Sequence, residues 1–201
     1  MGDWEESLSP RARERLARAG EVTADERERM KATEQLGSLL SEFYTGQLNA
    51  EGLWRELKGY QERGKAYVLK EAQLKLLDSL TLTSTHAEFQ RRKEGVLAIE
   101  TLKGEQDVST VEAGLNTLEG LQERCEEEKR QAYESLKVQV QRNPDLRLQQ
   151  VKQGQNTMVV QLSVDEAVKR LPQWQDFAHQ HERRYNEEFS RLAERLRAGL
   201  T

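Results

Sequence analysis

The 201-residue sequence is poor in the residues that staple or interrupt small folds. A single cysteine, Cys125, excludes an intramolecular disulfide framework and any zinc knuckle built on thiolates. Three prolines, Pro10, Pro144 and Pro172, leave long stretches in which nothing forbids a helix. Aromatic residues make up 6% of the chain, and its apolar runs are only a few residues long, as in Met158-Val159-Val160. A membrane-crossing helix needs about 20 apolar residues, so no membrane insertion is expected. Neither sign of charge dominates: 31 Lys and Arg against 35 Asp and Glu leave a net −4. That balance disfavours bulk attraction to nucleic acid or anionic lipid. Trp4-Glu5-Glu6 stands where a secretory leader would be apolar, so the expected location is cytoplasmic.

Charged residues fill 33% of the chain and mean hydropathy is −0.87, which predicts a thin core. Leu, Glu, Gln, Arg, Lys and Ala dominate, and these lose little rotamer freedom on a helix. Thr23 with Glu26, Thr85 with Glu88, Ser109 with Glu112 and Ser163 with Glu166 match the capping box that opens helices. Ser9-Pro10 and Gly20 bracket a candidate short helix, so residues 1–22 read as an arm, a short helix or a partly flexible stretch, and 23–201 as one elongated domain.

Within that domain a helix is predicted from Ala24 to Tyr44, burying Met30, Leu36, Leu39, Leu40 and Phe43. From Ala50 to Leu80 a stripe runs through Leu53, Leu57, Tyr60, Gly64, Tyr67, Leu74 and Leu77, with Gly59 and Gly64 as points of kink or close approach. A helix from His86 to Lys103 turns Phe89, Val96, Ile99 and Leu102 inward. The longest helix, Thr110 to about Arg142, would span roughly 50 Å, so it must protrude or pair. After Asn143-Pro144 the apolar period shortens to two, predicting a β-hairpin over residues 146–162 around Gln153-Gly154-Gln155-Asn156. A short helix from Val164 to Leu171 precedes an amphipathic helix over residues 173–198. The expected fold is therefore mainly α, an elongated antiparallel bundle of coiled-coil-like rods with one small hairpin.

Chemistry-bearing motifs are scarce. There is no P-loop, no G-x-G-x-x-G and no G-x-S-x-G. Asp176 and His179 share a helix face without the second copy that a bundle metal site needs. His179 and His181, two apart, diverge by about 200° on a helix and cannot grip one ion. Cys125 lies beside Glu126, Glu127 and Glu128, which oppose a thiolate. The basic clusters, such as Arg11, Arg13, Arg15 and Arg18, or Arg91-Arg92-Lys93, are interleaved with glutamates in the manner of solvated faces.

The sequence therefore carries no catalytic, metal or cofactor residues that stand out. The expected function is non-catalytic: an adaptor, assembly or chaperone-like subunit that binds protein through helix faces. Its expected interaction stripe is Trp174, Phe177, His181, Tyr185, Phe189, Leu192 and Leu196. The expected partner is a second copy, another protein, or both, because so long a rod leaves apolar surface to cover. The competing readings are an enzyme or metal carrier using Asp176, His179, His181, Tyr185 and His86, and a peripheral nucleic-acid factor.

Overall fold

The computed structural model describes residues 23–104, 107–153 and 156–200. The arm expected over residues 1–22 and the turn residues Gly154 and Gln155 lie outside them. Within them the chain forms seven helices and one two-stranded hairpin. Four helices come first: α1 (Ala24–Thr45), α2 (Ala50–Glu62), α3 (Ala66–Asp78) and α4 (His86–Glu100). Thr23 opens α1 and Thr85 opens α4, each with the reciprocal glutamate bond its sequence predicts. The stripe over residues 50–80 is two helices rather than one. Gly64 adopts φ +73°, a left-handed conformation that glycine enters without steric cost, and the chain turns there. Gly59 stays inside α2.

The long helix α5 (Val108–Arg142) follows, then a 3₁₀ turn (Pro144–Arg147), strands β1 (Leu148–Gln153) and β2 (Asn156–Gln161), α6 (Val164–Arg170) and α7 (Pro172–Leu200). α5 begins a residue before Ser109. Asp107, whose side chain accepts the Thr110 N–H, caps it in place of the expected Ser109–Glu112 box. The α4 helix likewise closes at Glu100, short of the expected Lys103.

Two apolar clusters organise these elements. The larger joins α1–α4 to the first half of α5 and the last half of α7, around Leu36, Phe43, Leu53, Leu57, Leu76, Phe89, Ile99 and Leu115. The smaller gathers Val140, Ala167 and Val168 with Leu136, Leu162 and Trp174 at the far end of α5. Because α5 leaves the first cluster for the second and α7 returns, the two helices run antiparallel as a stalk between a helical head and a small tip. Met30, expected in the core, is 65% exposed: the buried row of α1 is Ala32, Leu36, Leu40 and Phe43, and Met30 points the other way.

No helix among the described residues is long and apolar enough to cross a membrane.

Candidate functional site

The stalk seam is built from α7 residues three or four apart, each stacking on the next. Tyr133 of α5 meets Trp174 at 5.0 Å between ring centroids. Trp174–Phe177, Phe177–His181 and His181–Tyr185 continue the ladder at 5.9, 5.0 and 4.6 Å. This is the i, i+3/i+4 geometry that places successive side chains on one helix face. His181 is the one buried histidine among the described residues. Its Nδ1 lies 4.0 Å from Cys125 Sγ and its Nε2 3.6 Å from Glu128 Oε2, too far for a good hydrogen bond. Glu128 is held instead by Arg184 at 2.5 Å and by the Tyr185 hydroxyl.

These environments disfavour the charged forms of the cysteine and the histidine. Burial pushes the Cys125 thiol up, and the Glu126 and Glu128 carboxylates add to the effect against Lys129 and Arg184. Desolvation is thus the leading cause, with the neighbouring glutamates secondary. Burial also pushes His181 down, aided by Arg184 and Lys129 and opposed by Glu128. Glu128 is lowered, first by the Tyr185 hydrogen bond. A catalytic cysteine needs a stabilised thiolate beside a charged or basic imidazole. At this pair burial disfavours both the thiolate and the imidazolium. An open groove of about 700 Å³ runs past this pair, where His179, Gln180 and Arg183 line it beside Glu128, His181 and Arg184.

A testable pH dependence follows. The folded state holds His181 below the ordinary histidine value of 6.5. The unfolded chain therefore binds the extra proton first, and stability falls as pH drops through 6.5. His181→Phe keeps the ring between Phe177 and Tyr185 but removes this proton. Thermal melts at pH 7.5 and 5.5 should show a smaller acid loss for the variant than for the parent. Equal losses would remove His181 as the source.

Of the other residues of the competing readings, Tyr185 stacks on His181 in the seam, and His179, exposed on α7, lines the groove beside it; Asp176 is exposed. His86 opens α4 beside Glu119 and Glu123 of α5, with ligand-type atoms within 4.8 Å of one another. There the Lys93 ammonium already sits 2.7 Å from Glu119, Gln90 donates to the same carboxylate, and His86 occupies the electropositive end of a helix. Each of these disfavours an added cation.

The hairpin is the larger departure from a closed fold. The register pairs Leu148 with Gln161, Gln149 with Val160, Gln150 with Val159 and Val151 with Met158. Directly paired residues share a face, so Val151, Met158 and Val160 project to one side and Leu148 and Val159 to the other. All five are exposed, Val159 by 62%. On the first side the row continues from Leu162, which packs in the small cluster, out past its edge. Arg170 of α6 donates to Gln149 and steadies the base.

A family model matches residues 54–198, about seven tenths of the chain, spanning most of α2 and everything from there to the last turn of α7. The chain belongs to DUF6657, a family of unknown function. No curated protein and no solved structure matches it. The DUF6657 match thus takes in the stalk and the hairpin, and leaves α1 outside.

In this DUF6657 chain the seven residues of the expected interaction stripe all face their own chain. His181, Tyr185, Phe189 and Leu196 are buried, and Trp174, Phe177 and Leu192 half-buried. Sequence reasoning missed Glu128 and Arg184, which frame His181. Glu128 stands three residues past Cys125 on the same helix stripe, a spacing that placed it beside the seam.

Proposed function

We propose that this chain is a non-catalytic interaction subunit, an adaptor or assembly component of the cytoplasm, that binds protein through its stalk and tip. The observation that carries the reading is where exposed apolar side chains gather. Of the eight large exposed hydrophobics among the described residues, six (Leu146, Leu148, Val151, Met158, Val159 and Val160) belong to the 3₁₀ turn and the hairpin. Exposed apolar side chains gathered in this way on an otherwise highly charged protein mark a contact site. The half-buried edges of Trp174 and Phe177, at the same end of the stalk, extend it. The partner is a second copy or another protein.

The test is photocrosslinking in the native cell from an unnatural residue at Val159, with the same residue at Met30, an exposed apolar position on the head, as control. Protein adducts formed from position 159 and absent from position 30 are expected. If the tip gives no adduct beyond the control, the reading fails.

A further inference from the structure

Resting on that reading and naming its partner, we propose that the tip is completed by a second copy of this chain, β2 joining β2 antiparallel across a two-fold axis at Val159 to make a four-stranded sheet. The phase of the hairpin ladder is the first reason. Leu162 N–H donates to Arg147 O at 2.8 Å, so the pair 147/162 is of the hydrogen-bonded kind, and such pairs alternate along an antiparallel ladder. The pairs 149/160, 151/158 and 153/156 then exchange their bonds inward. The N–H and C=O groups of Leu148, Gln150 and Lys152 on one edge, and of Thr157, Val159 and Gln161 on the other, point outward. Among the described residues the Leu148 N–H is taken by Asp145 O of the 3₁₀ turn, and no backbone hydrogen bond reaches the β2 edge.

Natural sheets protect free edges with proline, bulges, charge or a covering element. Here the pairing runs unbroken through six residues per strand without a bulge or a proline, and β2 (Asn156–Gln161) has no charged residue. A two-stranded hairpin by itself is marginal in water, and a four-stranded sheet is not.

Symmetry selects β2 and its register. A two-fold axis perpendicular to the sheet keeps each face on its own side, so paired positions must have the same parity. Centring on Val159 sets Val159 opposite its twin and Thr157 opposite Gln161 as hydrogen-bonded pairs, with Met158 opposite Val160 between them. Six main-chain bonds form, and Val151, Met158 and Val160 of both copies align in one apolar stripe. The alternative edge, centred on Gln150, needs the Leu148 N–H, which the 3₁₀ turn already uses.

Charge agrees. The whole chain is net −4, yet residues 146–162 contain no Asp or Glu, so two copies can approach there without opposing carboxylates. The joined edges cover far less than the roughly 800 Å² per partner of a stable complex, which places this dimer in the weak, concentration-dependent class.

Sedimentation equilibrium on the full chain from micromolar to millimolar concentration tests this with two proline variants. Val159→Pro deletes an outward N–H at the proposed axis and leaves the β1–β2 ladder its bonds; Gln150→Pro does the same on the other edge. The wild type and Gln150→Pro should rise from 23.2 kDa toward twice that mass, while Val159→Pro stays monomeric. Amide exchange of the wild type supplies a readout independent of the variants' folding: the N–H groups of Thr157, Val159 and Gln161 should slow with concentration and those of Leu148, Gln150 and Lys152 should not. A monomeric wild type overturns the proposal, as does protection confined to the β1 edge. A monomer that still crosslinks another protein from position 159 loses the dimer and keeps the interaction reading; one that crosslinks nothing loses both.

Discussion

Phe43→Ala is expected to lower the unfolding free energy by about 3–5 kcal/mol, the range for emptying a buried aromatic site. For a chain of this size that corresponds to a drop of about 6–20 °C in Tm. Phe43 is fully buried where α1 meets α3 and α4, and its ring lies in a notch left by Gly95. A Cβ added at Gly95 would come within 2.7 Å of Phe43 Cζ and 3.0 Å of Leu76 Cδ1. Gly95→Ala in the parent therefore strains the core by about 1–3 kcal/mol, offsetting the ~1 kcal/mol that alanine gains over glycine in a helix. In the Phe43→Ala background the ring is gone, and the same substitution should become stabilising. A double-mutant cycle by urea denaturation reads this sign reversal directly. Additive effects would show that the notch and the ring are not coupled.

The second large effect is expected at Glu100. This carboxylate is buried between α3 and α4, accepting from Gln73 Nε2 at 2.7 Å, Lys103 Nζ at 2.8 Å and the Asp107 N–H at 3.2 Å. Burial alone would raise its pKa. The hydrogen bonds from Gln73, Lys103 and Asp107 outweigh burial, and the group sits below its ordinary value of 4.5. Glu100→Ala leaves the Asp107 N–H without its acceptor and the buried Gln73 amide with only the long bond to Val96 O. The expected cost is about 3 kcal/mol, toward the low end for a broken buried ion pair because Lys103 keeps contact with water.

Since the folded pKa is depressed, the carboxylate's contribution is whole above 4.5 and fades as pH falls through the folded value. Glu100→Gln keeps the shape and removes the titration. Its stability should fall less than the parent's between neutral pH and pH 3, measured by chemical denaturation at each pH. An identical decline in both would place the acid sensitivity elsewhere.

Both sites show what one-dimensional pattern can and cannot carry. Helix starts at Thr23, Thr85 and Ser163 were evident because a capping box is a contact between residues three apart, complete within the local sequence. The hairpin was evident for a similar reason, since apolar spacing of two and a turn between strands are local. The Ser109–Glu112 match failed because Asp107, a residue before the helix, takes the cap and starts it earlier. Met30 was misplaced because an apolar residue near a helix start joins a stripe only if another element arrives to cover it, and none covers that side of α1. Gly95 carried no signal at all: its role is set by the Phe43 ring, 52 positions away in the sequence.

The sequence by itself determined that this chain is mainly helical, that one helix is too long for a globule, and that a hairpin interrupts the helices near residue 150. Those properties follow from propensity, capping and periodicity, which act over a few residues. Tertiary structure alone decided that α5 and α7 form a stalk, that His181 and Cys125 meet in its seam, and that the two apolar faces of the hairpin remain uncovered. Such outcomes depend on which distant surfaces meet and on how far each neighbour excludes water, and no local pattern encodes either.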